Sequence, residues 1–180
     1  MNKKFTTRYQ QVLMQFQEVP PVLTQNYACF LAGFIEGEGS LCASVKDTGK
    51  TFKVDPEFNI SQHKSGVVHL IGMMLLFKTG NISFKSGSPS TYVYKMTNRK
   101  ALREKFVPYY KKYVWPYACK TKRQTFKKLC EILDLFEKKV HRTPKGLAFE
   151  ILPIVYQMNS SKGRERKWKL EDLQAKILNS

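Results

Sequence analysis

Two glutamates separated by one glycine, Glu36 and Glu38, close a short apolar stretch and carry the clearest prospect of chemistry in this chain. Ahead of them Ala28, Leu31, Ala32 and Ile35 follow the i, i+3, i+4, i+7 spacing of one helical face. Gly33 and Gly37 fall four residues apart on another face, where missing side chains let a second backbone come close. The acids therefore arrive at a helix C-terminus, where the macrodipole is negative and disfavours carboxylates. An acid set against its own helix dipole needs a compensating cation. A bound metal is the natural candidate.

The surrounding pattern predicts the elements that hold this end in place. Asn26 is expected to cap the helix and Gly39 to end it. From Ser40 to Lys46 the chain alternates, with Leu41, Ala43 and Val45 on one side and Ser40, Cys42, Ser44 and Lys46 on the other. Asp47-Thr48-Gly49-Lys50 reads as a hairpin turn. The returning strand puts Phe52, Val54, Phe58 and Ile60 on one face and Lys53, Asp55, Glu57, Asn59 and Ser61 on the other, with Pro56 marking a bulge or an unpaired edge. Val67–Phe77 reads as a buried helix stopped by Lys78-Thr79-Gly80. Asn81–Lys85 and Thr91–Met96 form a second hairpin across Ser86–Ser90, although the last strand is apolar on both faces and its register is open. Asn98 caps a helix to about Tyr110, and helices over Lys122–Lys138 and Leu147–Met158 follow.

The order is αββαββα with further C-terminal helices, an α+β chain built on one antiparallel sheet. Residues 1–25, polar, basic and closed by Pro20-Pro21, read as an N-terminal arm, helical around Thr7–Glu18. Residues 26–158 form the main domain, and 159–180 a charged tail with a helix after Trp168. The motif occurs once, with no internal repeat.

At 180 residues and 42% hydrophobic content the chain can bury a core. Thirty-one Lys and Arg against 14 Asp and Glu give +17, which points to a polyanionic partner. Cys29, Cys42, Cys119 and Cys130 have no metal-ligand spacing and read as free thiols in a reducing compartment. His63, His69 and His141 show no metal spacing either. His69 reads as a core residue, and Trp115 and Trp168 as packing anchors. Met1–Pro20 lacks the apolar centre of a secretory signal, and the apolar run Leu70–Phe77 is too short for a bilayer.

A sheet with helices on its apolar face leaves a polar face open, and a two-stranded ribbon fits the major groove of DNA. Ser40, Cys42, Ser44 and Lys46 would project there with Lys53, Asp55, Glu57, Asn59 and Ser61, joined by Ser83, Lys85, Thr91, Val93 and Lys95, a plain solvated sheet face being the alternative reading of the same pattern. Asparagine can bond adenine, lysine can reach guanine, and a carboxylate can accept from cytosine N4.

The stretch Leu-Ala-Gly-Phe-Ile-Glu-Gly-Glu-Gly at residues 31–39 closely resembles the motif of the LAGLIDADG homing endonucleases, with glutamates for its two aspartates. The segments Val54–His63, Phe77–Gly80, Lys85–Ser88 and Ile151–Ile154 resemble algal chloroplast rRNA-intron members of that family, in order over about residues 26–158. The resemblance implies a saddle-shaped antiparallel sheet. It also implies a single-motif homodimer, with Leu31, Gly33, Phe34 and Gly37 at the interface, that binds double-stranded DNA.

Its activity would be a Mg²⁺-dependent staggered double-strand break in a long pseudo-palindromic target, an rRNA gene in the homing of an organellar intron. Glu38 would hold the metal with the Gly37 carbonyl, while Glu36 lies nearer the helix interface. Gln62 would order water. Lys120 would act on the water or the phosphate, with Lys122 as its competitor. Gly66 departs from relatives that carry a basic residue there, a role open to His63 or Lys64. A binding-only intron RNA maturase is the first rival reading, and a basic structural or ribosomal-type protein the second.

Overall fold

The computed structural model describes residues 3–49, 51–158 and 168–179. Four strands, β1 (Ser40–Asp47), β2 (Phe52–His63), β3 (Asn81–Lys85) and β4 (Ser88–Met96), are hydrogen-bonded in the order β1-β2-β4-β3. The helices are α1 (Lys3–Phe16), α2 (Gln25–Glu38), α3 (Val67–Phe77), α4 (residues 99–114), α5 (Lys120–Glu137), α6 (residues 146–158) and α7 (Leu170–Leu178). The αββαββα order expected from the sequence runs from α2 to α4. The chain divides into two compact units, one of Met1–Ser40 with Phe58–Cys119 and the other of Leu41–Glu57 with Lys120–Ser180.

In the first unit α2 is capped two residues earlier than expected. The Thr24 hydroxyl, on extended backbone, accepts the Tyr27 N–H at 3.2 Å, and Asn26 lies inside the helix. Ala28, Leu31, Ala32 and Ile35 are all buried, as their spacing required. Behind them α3 is apolar on nearly every side, with Leu70, Ile71, Met73 and Met74 wholly enclosed. Its end at Lys78 (φ 49°) and Gly80 (φ 89°) leads into β3, and the Gly80 Cα lies so close to the Tyr94 ring that a Cβ would collide. Phe58 stacks on Phe106 at 4.4 Å and meets the edges of Tyr94 and Phe77. The helix of the N-terminal segment, α1, buries Phe5 and Val12, and Phe16 meets the edge of Tyr92 at 4.8 Å.

The register of β4 is now explicit. Asn59, Lys95 and Asn81 oppose one another in one row, and Ser61, Val93 and Ser83 in the next of the same face. Phe58 with Met96, Ile60 with Tyr94 and Ile82, and Gln62 with Tyr92 and Phe84 form the other face. β4 starts at Ser88, because a tight turn through Gly87 (φ 78°) replaces the expected five-residue loop. Only residues 58–63 of β2 pair with β4, so Pro56, which has no N–H to donate, lies beyond that ladder.

In the second unit Phe126, Leu129, Ile132, Leu133 and Phe136 form the buried stripe of α5, with Leu147, Ala148, Ile151, Leu152 and Val155 buried on α6. Trp168 is a packing anchor: Phe52 meets its ring edge-on at 6.0 Å, and its carbonyl accepts from the Tyr156 hydroxyl. Gln174 of α7 donates to the Ala148 carbonyl at 2.9 Å. The tail helix begins at Leu170, and residues 159–167 of the expected tail lie outside the described residues.

Each unit tolerates one proline inside a helix by the same device. The N–H groups of Val107 and Leu152 reach back five residues, to Leu102 and Leu147, just before Pro108 and Pro153. A proline ring crowds the carbonyl four residues earlier, and a widened turn relieves that clash.

Candidate active site and nucleic-acid interface

The motif helix closes where Gly39 turns extended and donates its N–H to the Ile35 carbonyl at 2.9 Å. A Cβ at Gly39 would press into that carbonyl, so a side chain there would force the chain off its exit path. The two acids on either side of Gly37 differ sharply. Glu38 is exposed and has no hydrogen-bond or ion-pair partner among the described residues. Glu36 is half-buried: Oε1 accepts the Cys119 N–H at 3.0 Å, and Oε2 is buried with no partner.

Gly33 and Gly37 are exposed, and a Cβ on either would meet nothing within 4 Å. That face of α2 is open in the single chain. Phe34 borders it half-buried, with the Phe30 ring stacked at 6.5 Å and the His69 ring at 5.4 Å. Phe30 itself is 50% exposed. Leu31 corrects the expected interface set. Its exposure is 0%, because it points into its own unit's core and supports the helix from behind. His69 sits less deeply than a core residue, with Nδ1 buried and unpartnered.

Gln62, one row before the end of β2, is half-buried on the face shared with Ile60 and Phe58. Its Oε1 lies over Gly66, 2.7 Å from where a Cβ would stand, so the absent side chain at 66 makes room for the carboxamide. His63 follows on the exposed side. Its Nδ1 accepts the Ser65 N–H at 3.3 Å and lies 2.9 Å from the Ser65 hydroxyl. Accepting at Nδ1 leaves the neutral ring's proton on Nε2. Glu38, Gly37 and Gln62 belong to the first unit, and Lys120 opens the second. Lys120 is exposed at the start of α5 with no partner among the described residues, whereas Lys122 is half-buried and engaged.

The predicted polar face is present in each unit. In the second, Cys42, Ser44, Lys46, Lys53, Asp55 and Glu57 are half-buried or exposed and alternate with buried Leu41, Ala43, Phe52 and Val54. Lys46 Nζ pairs with Asp55 Oδ2 at 2.7 Å across the hairpin. The hydrogen bond and charge of Asp55, with a smaller contribution from Glu57, raise the lysine pKa above its ordinary value. The turn is fixed by Gly49 N–H donating to Asp47 and Thr48 N–H donating to Thr51, while Lys50 lies outside the described residues.

In the first unit Asn59, Ser61, Ser83, Lys85, Thr91 and Lys95 are half-buried or exposed, with Ser40 half-buried at the head of β1. Val93 is the correction: only 5% exposed between Ser61 and Ser83, it has almost no surface to offer a base.

No three His, Cys, Asp or Glu side chains gather into a metal cage among the described residues. The donors at the helix end still suit a hard cation. An exposed carboxylate beside last-turn carbonyls, which have no partner within the helix, matches how Mg²⁺ takes one or two carboxylates and completes its shell with waters and phosphates. None of the four cysteines is in a disulfide. No helix among the described residues is long and apolar enough to cross a membrane.

Residues 31–133 match the LAGLIDADG endonuclease family, and the chain belongs to that family. It is 39% identical over 158 residues to the DNA endonuclease I-CeuI of Chlamydomonas moewusii, a match covering 86% of this chain and 72% of that protein. The structure is similar to the group I intron-encoded homing endonuclease I-CeuI complexed with DNA, with TM-score 0.89 and 35% identity over 97% of this chain and 87% of that one. The archaeal intron-encoded homing endonuclease I-Vdi141I complexed with DNA matches at TM-score 0.75 and 28% identity, over 86% and 96% of the two chains.

Two features of the site had no sequence signal. The Glu36–Cys119 hydrogen bond spans 83 positions, beyond any local pattern, and the fit of Gln62 over Gly66 depends on the turn after β2.

Proposed function

We propose that the chain is a homodimeric, Mg²⁺-dependent homing endonuclease that makes a staggered double-strand break in a long pseudo-palindromic DNA target, an rRNA gene carrying its intron in an organelle. Residues 26–158 carry this activity, with 1–25 as an arm and 159–180 as a tail. The observation that carries the reading is the end of α2: an exposed, unpartnered Glu38 beside an open Gly33–Gly37 face, in a chain 39% identical to a DNA endonuclease.

Glu38 and the Gly37 carbonyl would hold Mg²⁺, which when bound neutralises the scissile phosphate and activates a water. Gln62 orients water through the carboxamide that Gly66 leaves room for. Lys120, exposed and without a partner among the described residues, offers its ammonium to the phosphate or the water. One motif supplies one such acid, so symmetric cutting of two strands calls for two copies. The glycine face lets the motif helices pair about a twofold axis, and Phe34 flanks that contact. The polar sheet face then reads bases, with Val93 and Leu31 left out of the contacting sets.

Cleavage selection on a randomised duplex library, with and without Mg²⁺, tests this directly. A single palindrome-like site cut near its centre only with Mg²⁺ is the expected result. Binding without cutting under every metal condition would mark a binding-only relative instead.

A further inference from the structure

Of the two acids in the motif, Glu38 has an evident use and Glu36 has none in the reading above. Its geometry supplies one. Oε1 accepts the Cys119 N–H at 3.0 Å, and Oε2 is buried without a partner. With one oxygen engaged and the other shut away from water, Glu36 has little to offer a hydrated cation. A carboxylate accepting a backbone N–H makes a charge-assisted bond, stronger than a neutral one. Cys119 itself is exposed, and this bond holds its N–H at the boundary between buried Ala118 and the helix that starts at the next residue. The next residue is Lys120.

We propose that Glu36 is a positioning residue: it pins the Cys119 peptide and thereby fixes the backbone that carries Lys120. This rests on the reading of Lys120 as the site lysine. The motif's two acids then divide the work, the second facing the cation and the first holding the lysine's backbone.

The test compares the full-length wild type with Glu36→Ala, Glu36→Gln, Lys120→Met and the double variant Glu36→Ala/Lys120→Met on the selected target duplex. In single-turnover cleavage with saturating Mg²⁺, Glu36→Ala should slow the cut by about a hundredfold, the cost of a roughly 1 Å misplacement. Target affinity should stay within about threefold, less than 1 kcal/mol. Glu36→Gln should recover most of the rate, because its amide oxygen still accepts the Cys119 N–H. The double variant should cut no more slowly than Lys120→Met alone, since both changes remove the same group's action. Amide hydrogen exchange supplies a readout independent of activity: the exposed Cys119 amide should be protected in the wild type and in Glu36→Gln.

Several results would overturn the proposal. Glu36→Gln as slow as Glu36→Ala would make the charge of Glu36, and not its accepting oxygen, what the reaction needs. A double variant slower by the product of the single effects would separate Glu36 from Lys120. A fast-exchanging Cys119 amide in the folded wild type would remove the contact itself. A wild type that cuts nothing overturns both this proposal and the function it rests on, whereas an active wild type with an equally active Glu36→Ala overturns this one alone.

Discussion

The end of the motif helix and the tip of the β1–β2 ribbon each present a carboxylate to water, and they treat it in opposite ways. On the ribbon, Asp55 has its cation built in, with Lys46 2.7 Å away across the hairpin. At the helix end, Glu38 stands at the negative pole of α2 with no cation among the described residues. A chain with 31 Lys and Arg against 14 Asp and Glu has lysine and arginine in surplus, so leaving Glu38 unpaired costs stability that a neighbouring lysine would have relieved. The difference separates a carboxylate already paired within its hairpin from one whose charge is left open, as the proposed cation role of Glu38 requires.

The sharpest way to break that contrast is to neutralise the unpaired acid. Glu38→Gln should abolish cleavage while leaving target binding within about tenfold, roughly 1.4 kcal/mol. It should also raise the melting temperature slightly in metal-free buffer, because the helix end loses an unfavourable charge. Cleavage at the wild-type rate in this variant would remove Glu38 from the chemistry.

The open glycine face gives the next test. Since a Cβ at Gly33 or Gly37 meets nothing within 4 Å in the single chain, Leu at either position should leave the folded monomer at least as stable as before. It should nevertheless hold two motif helices apart, so that sedimentation shows a monomer and double-strand cleavage disappears. A dimer that survives Gly37→Leu would place the subunit contact elsewhere.

Salt tests the polar sheet faces as a whole. Affinity for the target should fall with a log–log slope of about −0.9 per phosphate contacted. With +17 on each chain, a nearly flat response to ionic strength would contradict DNA as the partner.

How far these features could be read from sequence depends on whether their cause is local. The buried stripe of α2, the alternation of β1 and β2, the Asn98 cap and the stop at Lys78–Gly80 arise within a few residues of chain and appear as expected. The register of β4 does not, because Thr91–Met96 reads as apolar on both faces, and only pairing with β2 and β3 turns Lys95 outward and Tyr94 inward. Val93 shares the outward face yet is only 5% exposed, a burial that alternation cannot show. The burial of Leu31 has a related cause. Membership of the motif does not say which of its residues face the chain's own core. Thr24 displaced Asn26 as the cap because the helix starts as soon as a hydroxyl on extended backbone can accept the Tyr27 N–H.

The smallest effect belongs to the ribbon, and it sharpens the contrast from the other side. If Lys46 and Asp55 are a structural pair, a double-mutant cycle on folding stability should return about 0.2–1 kcal/mol at low salt, the range of an exposed ion pair. The folded-state pKa of Lys46 is raised above the ordinary lysine value of 10.5, so this coupling is fully present below that value and is lost as pH rises through the raised one. Across neutral pH the cycle should therefore be flat with pH and weaken with added salt. If the pair also reads DNA, Lys46→Ala and Asp55→Ala should relax selection at the same base position in the library, because removing either one frees the other's head group. Relaxation at two separate positions would show two independent contacts that happen to lie close in the free protein. The same cycle run on Glu38 and Lys120 should give no coupling to stability in the free protein, whatever it gives in cleavage. A ribbon pair coupled in folding, beside a site pair coupled only in the cut, is the result that the two unlike carboxylates predict.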